Sequence, residues 1–190
     1  MESQETKTER QFAHAMEECR ALFAKKLHDY GASWRILRPS SLTDQLFIKA
    51  KRIRSLEIKK VSMVGEGILP EFIALINYGI VGLIQLELGF ADTVDISTDK
   101  AMELYDKHSG EALRLMLRKN HDYDEAWRSM RVSSYTDLIL MKLNRTKQIE
   151  EHEGKTIISE GIDANYLDMI NYSVFGIIKL TEAQVQRNGE

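Results

Sequence analysis

The stretch that decides the fold is HDYGASWRILRPSSLTDQLFIKAKRIRSLE, residues 28–57, because the chain contains it twice. Residues 121–150 read HDYDEAWRSMRVSSYTDLILMKLNRTKQIE, and thirteen of the thirty positions are identical at an offset of 93. The correspondence resumes one residue out of step at residues 66–68 and 160–162, which both read Glu-Gly-Ile. A repeat of this length indicates an internal duplication, which constrains the architecture more than any single motif does.

Each copy of the repeat predicts three helices. No stretch of the chain alternates convincingly between apolar and polar residues, and only two prolines occur, which favours an all-α protein. A unit of three helices is too thin to bury its own apolar faces. We therefore expect residues 1–91 and 92–190 to be two helical repeats that pack as a pseudo-twofold bundle and form one compact domain.

Polar residues at the start of each second helix have the spacing of helix caps. Ser41 stands three residues before Asp44, and Ser134 three residues before Asp137. In a capping box, the first side chain accepts a hydrogen bond from a backbone amide that the helix leaves unpaired. We therefore assign these four residues to capping rather than to chemistry.

Composition and charge exclude several classes of protein. The net charge of −3 provides no basic surface for nucleic acid or an anionic membrane, so no direct DNA binding is expected. The single cysteine, Cys19, excludes an internal disulfide and a cysteine-rich zinc site. The apolar run 72–90 contains three polar residues, which favours a buried core helix over a membrane span, and the polar N-terminus is unlike a signal peptide. We expect a cytoplasmic protein with no membrane contact, and a homodimer remains open.

The second helix of each repeat carries a Lys-x-x-Arg pair in an apolar setting. At 100° per residue, Lys142 falls between Ile149 and Tyr135, and a buried lysine is costly unless its charge finds a partner. One interpretation is that the pair holds a phosphate or carboxylate of a ligand. The other is an internal ion pair with Asp29 or Asp122, or a lysine that reaches out to solvent. The pairs are Lys49 with Arg52 and Lys142 with Arg145.

The third helix carries a strip of polar residues on one face. Asp168, Asn171 and Tyr172 are spaced i, i+3, i+4, and the first repeat keeps Asn77 but has Ala74 in place of the aspartate. An asparagine in such a strip could read the edge of a base or tie two helices together.

The loop after each first helix holds aromatic and acidic residues. The aromatic rings could stack on a base or plug the end of the bundle. The aspartates could hold a metal or bond local backbone amides. The candidates are Asp29, Tyr30 and Trp34 in the first repeat and Asp122, Tyr123, Trp127 and Arg128 in the second.

The order of these elements resembles a known family. His-Asp-Tyr-x(3)-Trp, then a Lys-x-x-Arg helix, then Glu-Gly-Ile-x(5)-Asp-x-x-Asn-Tyr, is similar to the nucleotide-modification-associated domain, type 1, over both halves of the chain. That family looks distantly similar to the all-α nucleoside triphosphate pyrophosphohydrolases, the MazG and dimeric dUTPase group. The resemblance implies a nucleotide or deoxynucleotide as ligand, and magnesium-dependent attack of water between the α and β phosphates.

The enzymes of that group bind magnesium with Glu-x-x-Glu and Glu-x-x-Asp pairs, which this chain keeps only in part. Its second helices carry Lys-x-x-Arg, Glu71 is followed three residues later by Ala74, and Asn165 is followed by Asp168. Magnesium needs one or two well-placed carboxylates together with phosphate oxygens and water. The resemblance therefore implies Asp168 and Glu160 as metal ligands, and it identifies no catalytic residue.

Two functions are consistent with these patterns. In the first, Lys142 and Arg145 bind the phosphates of a nucleotide, Trp127 or Tyr123 lies near its base, and the second repeat hydrolyses it with magnesium. In the second, the chain is a non-enzymatic helical module whose polar residues form an internal ion-pair network for assembly or regulation. The nucleotide-binding function predicts an acidic cavity next to a basic cavity, open to solvent in the second repeat. The second predicts that Lys49 and Lys142 are paired with acids and that no cavity exists.

Overall fold

In the computed structural model, which describes residues 6–60, 67–158 and 160–188, each half of the chain forms three α-helices. A 3₁₀ turn follows the first helix of each half, at Ser33–Ile36 and Ala126–Ser129. No strand occurs in the described residues, and the predicted all-α class is confirmed. The helices are α1 (Lys7–Tyr30), α2 (Pro39–Lys59), α3 (Leu69–Leu88), α4 (Thr98–Tyr123), α5 (Val132–Glu151) and α6 (Ile162–Asn188).

The helix ends in the first half follow from local chemistry. The Thr6 side chain accepts from the Glu9 amide, and the Glu9 carboxylate accepts from the Thr6 amide, which forms a capping box at the start of α1. Gly31 ends α1 with a φ of 63°, a conformation that glycine adopts without strain. Pro39 and Pro70 lie in the first turns of α2 and α3, where a missing N–H costs no helical hydrogen bond.

Helices α3 and α6 pack against each other at the centre of the bundle. A Cβ atom on Gly82 would come within 2.8 Å of the Tyr166 ring, and one on Gly176 would come within 3.0 Å of the Phe72 ring. The two glycines occupy equivalent positions in the two repeats, and so do the two aromatic residues. The contacts are therefore reciprocal, as a pseudo-twofold arrangement requires.

Two hydrogen bonds between motif residues connect the repeats. The Thr43 hydroxyl donates to Glu150 at 2.6 Å, and the equivalent Thr136 hydroxyl donates to Glu57 at 2.9 Å. Each bond joins α2 to α5, once in each direction. The predicted pseudo-twofold bundle of duplicated units is thus present in the packing and in the polar contacts.

The predicted capping by Ser41 and Ser134 is wrong. Helices α2 and α5 begin earlier, at Pro39 and Val132, and within the described residues no side chain bonds the first amides of either helix. The acids of the two proposed capping boxes instead form ion pairs between α2 and α5, again in reciprocal positions. These pairs are Asp44 with Lys147, at 2.9 Å, and Asp137 with Arg54.

Helix α3 is the apolar helix that the sequence assigned to the core. Of the described helices, it is the one with the length and composition of a membrane span. Within the bundle, 67% of that apolar stretch is buried against the other helices. The position of α3 between α2, α4 and α6 accounts for its apolar character without a membrane.

Candidate functional site

The motif lysine of the second repeat is buried and bound to an acid. Lys142 on α5 is 6% exposed, and its Nζ lies 2.6 Å from Oδ2 of Asp168 on α6, which is 5% exposed. Lys119 on α4 donates to the other oxygen of the same carboxylate at 2.5 Å. Burial lowers the pKa of Lys119, but the hydrogen bond and the charge of Asp168 outweigh it, so this pKa is raised overall. One carboxylate therefore holds two ammonium groups.

In the first repeat, the acid stands one helical turn earlier. Glu71 on α3 is 3% exposed, pairs with Arg52, and lies 3.4 Å from the Nζ of Lys49. Ala74 takes the position that Asp168 has in the second repeat, and the second repeat has an asparagine at the position of Glu71. Each repeat thus pairs its motif lysine with a buried acid, but from a different point on the third helix.

The prediction that Asp29 and Asp122 form ion pairs with these lysines is wrong. Asp29 and Asp122 are exposed at the ends of α1 and α4. Their carboxylates lie near the Nδ1 atoms of the preceding histidines, at 3.4 Å for His28 and 3.2 Å for His121. The bundle keeps both aspartates at its surface, away from the lysine side chains on α2 and α5.

A cavity of about 740 Å³ opens in the first repeat between α1, the 3₁₀ turn, α2 and α3. Its wall combines aromatic, charged and small side chains. Those that bear on its chemistry are Lys26, Tyr30, Trp34, Lys49, Glu71 and Tyr78, with Ala74 and Val81 as the small ones. This cavity is therefore lined by the repeated residues Trp34 and Lys49 and by the buried acid Glu71.

The equivalent positions of the second repeat carry larger side chains. Val81 corresponds to Phe175, whose ring stacks on Trp127 with 4.2 Å between centroids and 7° between planes. Ala74 corresponds to Asp168, whose carboxylate lies between Lys119 and Lys142. An aromatic ring and a carboxylate from α6 thus stand where α3 leaves room in the first repeat.

Two buried polar atoms in residues that line the cavity have no hydrogen-bond partner within the described part of the chain. They are Nε1 of Trp34, a donor, and Oε2 of Glu71, an acceptor. The 3.4 Å contact between Lys49 and Oε2 lacks hydrogen-bond geometry. The indole of Trp127 is also unpartnered, whereas both oxygens of Asp168 are bound. The unbound carboxylate oxygen therefore distinguishes the first repeat, and buried groups of this kind are rare.

The asparagines of the third helices tie helices together. Asn77 donates to the backbone oxygen of Cys19 at 3.1 Å and accepts from the Tyr105 hydroxyl at 2.9 Å. Asn171 donates to the backbone oxygen of Ala112 at 3.2 Å, which is the equivalent contact in the second repeat. Asn77 also lines the cavity, but both of its polar atoms are already bound.

The other predicted residues of the second repeat lie outside any equivalent cavity wall. Arg145 and Glu160 are exposed and line a separate cavity of about 910 Å³ beside α5, which contains neither Lys142 nor Asp168 in its wall. Tyr123 is 69% exposed. Trp127 is covered by Phe175 and by the Arg128 guanidinium, 4.3 Å from its ring, and Arg128 also binds Glu125. The indole therefore plugs this end of the bundle.

A magnesium site receives no support from the acids of the second repeat. The described residues contain no group of three His, Cys, Asp or Glu side chains that would hold a metal ion. Asp168 is already neutralised by two ammonium groups, and a divalent cation beside it would be repelled by both. Magnesium binding by Asp168 and Glu160 stays a prediction from the resemblance.

Sequence reasoning missed two residues of the arrangement, Lys26 and Lys119, and the role of a third, Glu71. Lys26 and Lys119 occupy equivalent positions two residues before the repeated His-Asp-Tyr. Because both positions are lysine, a repeat extended by two residues would have marked them as candidates. Glu71 was visible as a residue of the third helix, but its partner position in the second repeat is not acidic. Comparison of the two repeats therefore did not mark it.

The geometry defines a duplicated all-α bundle with one open and one filled copy of the same polar arrangement. The comparison with protein families identifies it further: residues 26–86 and 119–180 each match the family described as nucleotide modification associated domain 1. These matches cover most of the chain, which therefore belongs to that family and carries its domain twice. No curated protein and no solved structure matches the chain. The similarity to the MazG group remains an expectation from the sequence.

Proposed function

We propose that the protein binds a nucleotide or deoxynucleotide in the cavity of the first repeat. The observation that carries this proposal is the composition of the cavity wall, in which aromatic rings and lysines surround a space of about 740 Å³. Small-molecule sites usually enclose about 300–1,000 Å³, with a mostly apolar wall and a few placed polar groups. A nucleotide combines a planar ring with a charged phosphate, which this wall complements, and the family description is consistent with such a ligand.

The proposal assigns the ring to the aromatic side of the cavity and the phosphate to its basic side. Tyr30 and Trp34 supply aromatic surface, and Tyr30 is 55% exposed, so its ring is accessible to a ligand. Lys26 and Lys49 supply positive charge, which phosphate groups attract strongly. We place the ligand in the first repeat because the buried Lys142 and Asp168 are already bound to each other.

Titration of the purified protein with nucleoside mono-, di- and triphosphates, with and without Mg²⁺, tests the proposal by calorimetry. Pyrophosphate release is measured in the same samples, so that hydrolysis is tested together with binding. We expect at least one nucleotide to bind with one site per chain. Absence of binding by every nucleotide at millimolar concentration would sink the proposal.

The two repeats provide a matched pair of variants for this titration. Tyr30 and Tyr123 are equivalent and are both exposed, so alanine at either position should leave the fold intact. Stacking of one base on an aromatic side chain is worth about 1–3 kcal/mol, so Tyr30→Ala should weaken binding at least about fivefold. Tyr123→Ala should leave affinity unchanged. Equal losses in both variants would contradict the choice of the first repeat.

The second candidate function is a non-enzymatic module stabilised by internal ion pairs. The observation that favours it is the ion pair of the buried residues Lys142 and Asp168 with the more exposed Lys119, which needs no ligand. This candidate predicts that no nucleotide binds to the protein or is hydrolysed by it. The titration described above therefore separates the two.

A further inference from the structure

We infer that α6 carries a built-in imitation of the ligand, in which Asp168 stands for its anionic group and Phe175 for its planar ring. In the first repeat, the ring of the ligand then stacks on Trp34 and contacts Tyr30, and a phosphate or carboxylate lies between Lys26 and Lys49. The inference rests on the proposed function of that cavity and specifies how the ligand lies in it.

The anionic half of the imitation is defined by two lysines. Lys119 and Lys142 approach the two oxygens of Asp168 from different helices, α4 and α5. Their counterparts, Lys26 and Lys49, come from α1 and α2 and line the cavity. The residue equivalent to Asp168 is Ala74, which has no charge and lines the same cavity.

In the first repeat, neither lysine makes a short bond to an acid of the described residues. Glu71 approaches from one turn earlier on α3 and contacts Lys49 only at 3.4 Å, compared with 2.6 Å between Lys142 and Asp168. Lys26 is exposed, and the described residues provide no ion pair for it. An anion between the two lysines would be bound by both, as Asp168 is in the second repeat.

The planar half of the imitation is a stacked pair of rings. Phe175 lies parallel to Trp127 at 4.2 Å between centroids, which is the geometry of a base on an indole. Trp34 is the counterpart of Trp127; its ring contacts Phe23 at 6.2 Å in a tilted arrangement, and with Val81 in place of Phe175 no parallel ring lies against it in the described residues. Phe175 follows Asp168 by seven residues, or about 10 Å along a helix. The ligand therefore carries a ring and an anionic group joined by a spacer, as a nucleotide does.

Two variants of the first repeat test the two halves separately. Glu71→Asn with Ala74→Asp gives the first repeat the acid arrangement of the second, so the anion place is filled while a buried acid still faces Lys49. Val81→Phe gives it the aromatic ring. We expect the double variant to weaken nucleotide binding and inorganic phosphate binding at least about tenfold. We expect Val81→Phe to weaken nucleotide binding as much, and to leave inorganic phosphate binding unchanged.

The outcomes separate this inference from the proposed function. Unchanged nucleotide affinity in the double variant overturns the inference and leaves nucleotide binding standing. Binding of inorganic phosphate or acetate to the wild type, lost in the double variant, supports the inference even where no nucleotide binds; acetate alone indicates a carboxylate ligand. Failure of every probe to bind overturns both.

If the double variant does not fold, a matched pair of single lysine variants tests whether an anion binds at Lys26. Lys25 and Lys26 are adjacent and exposed, and only Lys26 lines the cavity. Lys26→Ala should weaken phosphate binding at least about tenfold, and Lys25→Ala should leave it unchanged. Equal affinity in the two variants overturns the inference.

Discussion

Lys142 brings a positive charge into an almost fully buried position, and its chemistry depends on Asp168. Taking both charges out of water costs several kcal/mol, which their short contact and the second lysine, Lys119, offset. Loss of one partner leaves the other charge buried and unpaired. Replacement of Asp168 should therefore lower the stability of the protein markedly.

Asp168→Asn should lower the free energy of unfolding by about 3–5 kcal/mol, the usual effect of breaking a buried ion pair. Asp137→Asn is the matched control, because Asp137 also pairs with a cation but its side chain is 65% exposed. An exposed pair contributes about 0–1 kcal/mol. Urea denaturation of both variants measures the difference, and comparable losses would contradict the role given to Asp168.

At the same scale, the sequence indicated which residue needs a partner but not which residue provides it. The position of Lys142 in an apolar stripe predicted a partner for its charge. The acid was harder to find because its position differs by one turn between the repeats, Glu71 in the first and Asp168 in the second, so no aligned position of the third helices is acidic in both. Asp29 and Asp122, by contrast, are acidic in both repeats, but the fold keeps them at its surface.

Among the elements, α3 and α6 depend on glycines for their close approach. Gly82→Ala would place a Cβ within 2.8 Å of the buried Tyr166 ring, which has little room to move. We expect a loss of about 1–3 kcal/mol in the free energy of unfolding, as is typical of overpacked cores.

Gly110→Ala is the control for this effect. Its Cβ would meet only the end of the flexible Arg114 side chain, at 3.2 Å, in the interior of α4. Alanine is a better helix former than glycine by about 0.8–1 kcal/mol, so the control should be neutral or stabilising. Thermal unfolding of both variants measures the contrast, and a stabilising Gly82→Ala would show that α3 and α6 do not approach this closely.

Helices were predictable from the sequence because their apolar period and their glycine and proline signals are local. The role of the polar residues at their starts was not. A threonine or aspartate near a helix start can bond a nearby backbone amide or a distant side chain, and local spacing does not decide between them. Thr43 and Asp44 bond residues of α5, more than a hundred positions away.

The whole molecule is held together by reciprocal contacts that include two partly buried glutamates. Burial raises the pKa values of Glu57 and Glu150, although the hydrogen bonds from Thr136 and Thr43 act in the opposite direction. A carboxyl group whose pKa is raised on folding stabilises the folded state when protonated. That contribution is lost as the pH rises from the ordinary value of 4.5 through the raised value.

Glu57→Gln with Glu150→Gln should therefore raise the melting temperature at pH 7, and the gain should shrink as the pH falls towards 4. Glutamine still accepts the threonine hydrogen bonds. Glu87→Gln is the control of opposite sign, because the hydrogen bond from Lys107 lowers the pKa of Glu87. Its effect should be a loss of stability at pH 7 that disappears in acid. A pH-independent difference in the double variant would refute the assignment.

The first repeat alone should associate with a second copy of itself. Two copies of residues 1–91 could reproduce the contacts between the halves, since Thr43 would meet a second Glu57, and Gly82 a second Phe72. We expect this fragment to form a folded homodimer, because a single copy would expose the apolar face of α3. Analytical ultracentrifugation with circular dichroism measures both properties, and a folded monomer would contradict the expectation.

The covalent joining of the two halves has a consequence for how such a site can evolve. In a homodimer encoded by one gene, every substitution appears in both subunits, so a residue that blocks one site blocks its twin as well. Once the halves share a chain, each accepts substitutions independently of the other. One repeat can then lose its binding site and serve only to stabilise the bundle, while selection keeps the cavity of the other repeat open.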